Sequence, residues 1–376
     1  MGIIGKIQHK FEIFYWQKIV KNQNPMLTSF SRNRLSEAIT WLRFPLIFLI
    51  IMLHCYSVQR IEGSHDTYFK ALYPFSLWLG ETGVPGFFFI SGFLFFLSKK
   101  TYMQKIKTRF HTLLIPYILW NLIMLALYSI AYVIGYPQNI NGGSLTNFQF
   151  IDYLRLFWDR GSYDNGNFVP ILCPLWYIRN LLIMSLLSPL IYYIIRYVRE
   201  LFLIVITVWW LTTCHNAFIP QTILFFSLGA YFSIFDINPL RIASENKAII
   251  IVLFGIFAVG DIFSHTVMGT PINLQLHRIS LILNIPVLLL LADWCARHEY
   301  TCKLLPNSAF IVFCVHYPIV VLLRKICILK FNNSPDYIHI LLYFACVIVA
   351  TLLSIGFYSI LENYYPKAQK ILSGNR

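Results

Sequence analysis

The sequence has few charged residues for its length. Of 376 residues, only 12% are Asp, Glu, Lys or Arg, whereas 57% are hydrophobic and 17% are aromatic. A soluble domain carries about 25% charged residues, so most of this chain contacts something other than water. The apolar segments recur along nearly the whole chain, which favours one membrane domain over one or two soluble domains.

Cysteine motifs, repeats and a cleavable signal are missing as well. The eight cysteines form no C-x-x-C pair and have no metal-like spacing, so we expect neither a disulfide framework nor a metal site. The first forty residues lack a short apolar core followed by a small-residue cleavage site. We find no repeat of 20 to 50 residues. We also expect no soluble catalytic domain at either end.

Ten apolar segments predict an all-α fold, a polytopic transmembrane helical bundle of about ten spans. A hydrocarbon core about 30 Å thick needs about 20 apolar residues in a helix. The fifth and sixth segments are short and could instead form one helical hairpin. The segments are residues 38–58, 75–98, 112–134, 175–195, 200–214, 219–235, 247–263, 279–296, 304–323 and 337–360.

The basic residues indicate an orientation. The net charge of +14 does not form a basic stripe beside aromatic residues, so we expect no nucleic acid partner. With the N-terminus inside, 21 of the 30 Lys and Arg fall in inner segments or at inner helix ends. The positive-inside rule then predicts both termini in the cytoplasm and a multi-pass protein of the cytoplasmic membrane.

Three regions follow from this topology. Residues 1–36 form a basic N-terminal segment, 37–360 the transmembrane domain, and 361–376 a basic cytoplasmic tail. Within the first region, residues 10–18 mix aromatics with cations and could lie flat on the membrane or be disordered. The long loop 135–174 is placed outside, and a loop of this length is often functional or a lid.

Two ionisable residues share one face of the first span. Arg43 and His54 are eleven residues apart, about three helical turns, so they point the same way and lie roughly 16 Å apart along the axis. Ionisable groups within spans usually mark a functional site. Taken alone, Arg43 could extend to the inner headgroups and His54 could be a hydrogen-bonded core residue. Their shared face makes a joint function the sharper hypothesis.

Three further ionisable residues fall at about the predicted depth of His54. Glu81, Arg179 and His316 each lie in the outer half of their spans. Together with His54 they predict a polar chamber. The alternative is a structural Glu81–Arg179 ion pair with the histidines hydrogen-bonded nearby.

The second span and the segment after it add two weaker signals. Glycines such as Gly83, Gly86 and Gly92 allow close helix packing, but they could also leave room for a ligand chain. The basic residues of 99–109 usually contact anionic headgroups, and they could also receive the phosphates of a nucleotide-bearing donor.

An ordered set of motifs resembles the integral membrane acyltransferase-3 family, whose members O-acylate sugars and other cell-surface molecules. The resemblance covers residues 34 to 360, and its most specific element is the arginine, ten intervening residues and histidine of the first span. The matching residues are Arg43 and His54, the GVPGFFFISGF run at 83–93, Arg109 with Pro116-Tyr117, Leu175-Trp176-Tyr177, Phe226 to Tyr231, and Val315 to Pro318.

This resemblance implies an acyl-CoA donor bound from the cytoplasm, most often acetyl-CoA, and a carbohydrate hydroxyl as acceptor. It identifies Arg43 and His54 as functionally required. Some relatives carry an additional soluble domain, so this chain would complete the transfer alone or pass the acyl group to another protein. The acid at Glu81, just before the Gly83 motif, is a departure from the pattern.

A mechanism follows as a hypothesis. Arg43 and Arg109 hold the donor phosphates, and the pantetheine arm passes Gly83, Gly86 and Ser91. His54 acts as general base, or alternatively as a transient acyl carrier. Other residues predicted to orient the base or bind substrate are Glu81, His316, Arg179, Trp176 and Tyr177.

Two other classes of membrane protein compete with the enzyme. A transporter or flippase for a lipid-linked sugar would also suit a many-helix bundle with a polar chamber, although no inverted repeat is visible. A structural or sensing protein would not need charged groups gathered at one depth.

Overall fold

The chain is described here by a computed structural model that covers residues 29–56, 66–135, 147–160, 167–214, 216–265, 272–298 and 303–375. The aromatic and cationic segment 10–18 lies outside these ranges. All regular elements in the described ranges are helical, which confirms the all-α prediction.

Within the described residues, the first half of the chain forms eight α-helices, some of which are preceded or followed by π or 3₁₀ turns. The π turns are Pro74–Leu79 and Phe110–Leu114, and the 3₁₀ turns are Gly80–Thr82 and Cys173–Leu175. The α-helices are α1 (Ser29–Cys55), α2 (Asp66–Tyr73), α3 (Gly83–Leu97), α4 (Tyr102–Arg109), α5 (Ile115–Val133), α6 (Phe150–Arg155), α7 (Trp176–Leu186) and α8 (Ser188–Val198).

The second half is also helical and contains the longest elements. Its helices are α9 (Glu200–Thr212), α10 (Phe218–Ile234), α11 (Pro239–Glu245), α12 (Lys247–Phe263), α13 (Asn273–Arg297), α14 (Leu304–Phe331), α15 (Asp336–Tyr364) and α16 (Pro366–Ser373).

Among the residues that the structure describes, six stretches are long and apolar enough to cross a membrane, and the number rises to eight if two bent helix pairs are each one span. The pair α7–α8 bends by 67° and the pair α10–α11 by 91°. Pro189 in the first turn of α8 and Pro239 at the start of α11 lack the amide hydrogen that a continuous helix needs. The chain is therefore a multi-pass membrane protein. Length and composition do not confirm the predicted count of ten spans.

The first span lies at the centre of the bundle. Helix α1 packs against α3, α13, α14 and α15, and it buries a stripe that includes Leu42, Leu46 and Ile50. At its beginning, Arg34 binds both carboxylate oxygens of Asp293, with distances of 2.6 and 2.7 Å from Nη2. This bidentate ion pair joins α1 to the end of α13.

Helices α3 and α10 form the closest packed pair. A Cβ atom added to Gly92 would lie 2.0 Å from the carbonyl oxygen of Phe226, and one added to Gly229 would lie 2.0 Å from that of Phe89. Only glycine permits this approach. The glycines Gly83 and Gly86 likewise pack against Leu46 and Ile50 of α1, which supports the packing interpretation of the second span.

Candidate active site

A cavity of about 420 Å³ lies between α1, α3, α7, α14 and the segment that joins α4 to α5. Helix α1 contributes Arg43 and Ile47, which are four residues apart on one face. The first turns of α14 contribute Pro306 and Asn307. Arg43, the α4–α5 segment and the start of α14 all lie at the predicted cytoplasmic ends of their spans.

Two arginines of this cavity have no acidic partner within the described ranges. The side chain of Arg43 is exposed and that of Arg109 is half-buried, and both line the cavity. The Arg109 guanidinium carbon lies 5.6 Å from the centroid of the Phe95 ring. Beside it, the buried Lys105 donates to the carbonyl of Phe95 over 2.7 Å, so this ammonium group is already used in holding α4 to α3. The positive charge of Arg43 and Arg109 is thus free to attract an anion.

Ser91 and Tyr177 form the polar part of the cavity wall. Their hydroxyl groups share a hydrogen bond of 3.0 Å. The Tyr177 ring packs against Phe88 at 4.7 Å and against Phe313 at 5.9 Å between centroids. Trp176 points elsewhere, because its ring stacks on Phe218 at 3.9 Å. Trp176 was predicted to contact substrate but packs α7 against α10.

His54 and His316 lie side by side on α1 and α14, two of the helices that line the cavity. Their ring centroids are 5.4 Å apart, and Tyr317 packs edge-on against His54 at 5.2 Å. On α1, His54 continues the face of Arg43 and Ile47. On α14, His316 lies one turn beyond Phe313 of the cavity wall. The structure therefore brings together the two predicted histidines.

His316 has one ring nitrogen in use and one available. Its Nδ1 lies 3.1 Å from the carbonyl oxygen of Val312, which requires the N–H on that nitrogen. The Nε2 atom is fully buried and has no hydrogen-bond partner among the described residues. A buried acceptor without a partner is costly, and such atoms often serve a ligand or a reaction.

Glu81 does not join this pair but belongs to a separate cluster. Its carboxylate lies 3.0 Å from Nε2 of His277, and Nδ1 of the same ring lies 2.9 Å from Asp261. Tyr73 donates to Asp261 over 2.6 Å, and Asn273 donates to it over 2.9 Å. This cluster links the second span to α12 and α13. Sequence reasoning overlooked His277 and Asp261, although an acid and a histidine within apolar runs were visible.

Arg179 holds the described residues of the loop that precedes α7. It donates to the backbone carbonyls of Trp158 and Phe168 and to the side chain of Asn180. Glu81 and Arg179 therefore do not pair, and the alternative of a structural ion pair is wrong. The predicted single chamber of four groups is wrong as well, because only His54 and His316 are adjacent. Residue depth could not reveal which sides of the helices face each other.

A comparison with protein families shows the class of the protein. A family model described as "Acyltransferase domain", of the acyltransferase-3 type, matches residues 36–359. The chain belongs to this acyltransferase family. The matched range contains Arg43, Ser91, Arg109, Tyr177, His54 and His316, so the cavity and the histidine pair both lie within the family domain.

One relative is similar to this chain over most of the length of both proteins. The chain is 26% identical over 319 residues to succinoglycan biosynthesis protein ExoH of Rhizobium meliloti (strain 1021), and the alignment covers 80% of this chain and 82% of that protein. No solved structure matches. The protein is thus an enzyme that transfers acyl groups and is built into a membrane.

Proposed function

We propose that the protein is an O-acyltransferase of the cytoplasmic membrane that moves an acyl group, acetyl in the first instance, from cytoplasmic acyl-CoA to a hydroxyl of a surface or lipid-linked polysaccharide. The family supports the acyl transfer, and the name of the relative supports a polysaccharide acceptor. The observation that carries the proposal is the cavity with two arginines that have no acidic partner in the described ranges, lined by the same faces of α1 and α14 that carry His54 and His316.

The arginines bind the donor in this proposal. An acyl-CoA carries a polyanionic nucleotide at one end and a thioester at the other. Arg43 and Arg109 contact the phosphates, and the first turn of α14 adds the positive end of a helix dipole. The pantetheine arm follows Phe87, Ser91 and Phe313, which line the cavity. The pantetheine arm does not pass Gly83 and Gly86, because both glycines pack against α1.

His54 is the general base. It removes the proton of the acceptor hydroxyl while the oxygen attacks the thioester carbonyl. The carbon–sulfur bond then breaks, and the CoA thiolate leaves with the proton that His54 received. His316 positions the ring of His54 and offers Nε2 as a second acceptor in the same buried site. In the alternative mechanism, the acyl group is transferred first to His54 itself. Trapping of an acylated protein would reveal this intermediate.

Both termini lie in the cytoplasm in this proposal, and the bundle crosses the membrane ten times. Each of the ten predicted segments coincides with a helix or a pair of consecutive helices. Ten crossings result if each bent pair is one span and if α9 and α12, which have 13 and 17 residues, also cross. The arginines then face the compartment that contains acyl-CoA.

Binding of acetyl-CoA to the purified protein in detergent tests the proposal. We expect Arg43→Ala to raise the Kd by about tenfold or more, because a charge-assisted contact contributes about 1.5–3 kcal/mol. Arg43→Lys should raise it less, since the charge remains but the fork geometry is lost. Calorimetry or equilibrium dialysis gives the Kd.

Lys107→Ala is the matched control for the arginine variants. Lys107 is an exposed basic residue of α4 that does not line the cavity. It should leave the Kd within about twofold, because exposed charges interact weakly through water. A parent protein that neither binds nor consumes acetyl-CoA would contradict the donor assignment and favour a transporter.

A further inference from the structure

The outer loop contains a second cavity, separate from the one between the helices. It measures about 480 Å³, within the range of small-molecule sites. Three aromatic residues line it, namely Phe148, Trp158 and Phe168. The side chains of Trp158 and Phe168 remain 52% and 43% exposed. The loop is predicted to lie outside the membrane. Exposed aromatic rings around a cavity of this size indicate a ligand-binding site.

The polar residues of this cavity are balanced in charge. They are two aspartates, Asp152 and Asp159, and two arginines, Arg155 and Arg160. The Arg155 guanidinium lies 3.4 Å from the Asp152 carboxylate. The cavity therefore offers both acceptors and donors, with no excess of either charge. This composition fits a neutral ligand that both donates and accepts hydrogen bonds.

The walls of the cavity are held by the membrane domain. Tyr117 of α5 donates to the carbonyl of Phe157, and Arg179 of α7 donates to those of Trp158 and Phe168. The guanidinium of Arg179 also lies 4.7 Å from the centroid of the Trp158 ring. Two anchored helices thus fix the position of Trp158, as a preformed site requires.

Two non-helical segments of the loop, residues 156–160 and 169–171, are joined to each other as well. The amide of Ile171 donates to the carbonyl of Leu156, and the amide of Arg160 donates to that of Val169, both over 2.7 Å. Leu156, Val169 and Ile171 are buried beneath these bonds. The described parts of the loop are therefore packed onto the main core of the bundle through these three residues.

We infer that this cavity binds a neutral hexose unit of the acceptor polysaccharide, an inference that rests on the proposed function. A pyranose presents C–H groups that pack on aromatic faces, whose negative electrostatic potential attracts them. Its hydroxyls donate and accept, which matches the Asp and Arg side chains. Arg179, which holds Trp158, lies two residues after Tyr177 of the donor cavity. The first turns of α7 therefore separate the acceptor unit from the donor.

Oligosaccharides test the inference. The probe is the surface polysaccharide of a strain that lacks the protein, hydrolysed to oligosaccharides and separated into neutral and acidic fractions by anion exchange. We expect the neutral fraction to bind the parent protein and Trp158→Ala to weaken this binding by about tenfold, since central aromatic residues contribute most of the affinity at binding sites. Trp158→Phe, which keeps an aromatic face, should restore most of the affinity.

Phe150→Ala is the matched control. Phe150 is an aromatic residue of the same loop, 78% exposed, that does not line the cavity. The Phe150→Ala variant should bind the neutral fraction with the parent affinity. Trp158→Ala, Trp158→Phe and Phe150→Ala should all bind acetyl-CoA with the parent Kd. Unchanged oligosaccharide binding in Trp158→Ala, binding of the acidic fraction alone, or no binding by the parent protein would overturn the inference. A parent protein that does not bind acetyl-CoA would instead contradict the proposed function.

Discussion

The two histidines have different surroundings, although they are neighbours. His316 is fully buried on α14 and uses Nδ1 toward the carbonyl of Val312. His54 is only partly buried on α1, on the helix face that lines the cavity. Of the two residues, His54 is the one on the same helix face as Arg43 and Ile47. This difference supports His54 as the base and His316 as the residue that positions it.

Replacement of His54 by alanine should abolish most of the acyl transfer. General base catalysis contributes about 10²–10⁴-fold, so we expect a turnover at least a hundredfold lower. The Kd for acetyl-CoA should stay near the parent value, because His54 does not hold the phosphates. Turnover is measured as CoA release in membranes with equal protein levels.

His298→Ala is the control for this variant. His298 is an exposed histidine just after α13, and its Nδ1 lies 2.7 Å from the carbonyl oxygen of Trp294. It should retain the parent turnover. Near-normal turnover of His54→Ala would remove the base from the mechanism.

The Glu81 cluster has a structural consequence at the same scale. His277→Ala leaves the fully buried Asp261 without its imidazole partner, so we expect a loss of about 3 kcal/mol in the free energy of unfolding. Glu81→Gln should cost about 1 kcal/mol or less, because the side chain of Glu81 is 41% exposed and water screens its interaction.

Unfolding of both variants in detergent, followed by circular dichroism, gives the difference. An equal loss in the two variants would contradict the assignment of Asp261 as the group that depends on His277. An unaltered stability of His277→Ala would show that the cluster does not hold α12 and α13 to the second span.

At the scale of elements, the helices were predictable and their bends were not. Long apolar runs determine where α1, α14 and α15 lie, because each run must satisfy its backbone inside the membrane. The bend at Pro189 depends on which helices α7 and α8 pack against, and no local sequence pattern predicts that packing. The Glu81–His277 contact is hidden for the same reason, since it joins spans that are 196 residues apart in the sequence.

Glycine substitution tests the contact between α3 and α10. Gly92→Ala places a Cβ atom 2.0 Å from the backbone oxygen of Phe226, where only a backbone shift can relieve the clash. We expect a loss of about 1–3 kcal/mol in the free energy of unfolding and a lower amount of folded protein. Unfolding in detergent and size-exclusion profiles provide the measurement.

Gly255→Ala is the matched control in α12. A Cβ atom there meets nothing within 4 Å, and alanine favours a helix interior over glycine by about 1 kcal/mol. This variant should be as stable as the parent or more so. Equal behaviour of the two variants would mean that the close approach of α3 and α10 is not maintained in the membrane.

At the scale of the whole molecule, the distribution of basic residues predicts which side each loop faces. We expect Phe150→Cys, in the loop of the second cavity, to react with a membrane-impermeant maleimide in intact spheroplasts. Lys367→Cys, on the exposed side of α16, should react only after permeabilisation. Both variants require a background with Cys214→Ser and Cys302→Ser, because Cys214 is exposed and Cys302 lies outside the described ranges.

The opposite labelling pattern would place the arginines of the cavity outside the cell. Donor binding from the cytoplasm would then be impossible at that site. Arg43 and His54 could be singled out from the sequence because one helix carries both. The second cavity could not, because its walls come from residues 148–160 and from Phe168, which no periodic pattern links in the sequence.

The contact of Gly92 with the backbone of Phe226 also bears on how a donor enters. Helices that pack backbone to backbone cannot slide or separate without losing this contact, so we expect α3 and α10 to move as one rigid unit. Ser91 and Phe87 are on α3, as Gly92 is, and therefore belong to this unit. If the cavity binds a nucleotide-bearing donor as proposed, we expect it to widen on the opposite side, where α4 and the start of α14 carry Arg109 and Asn307.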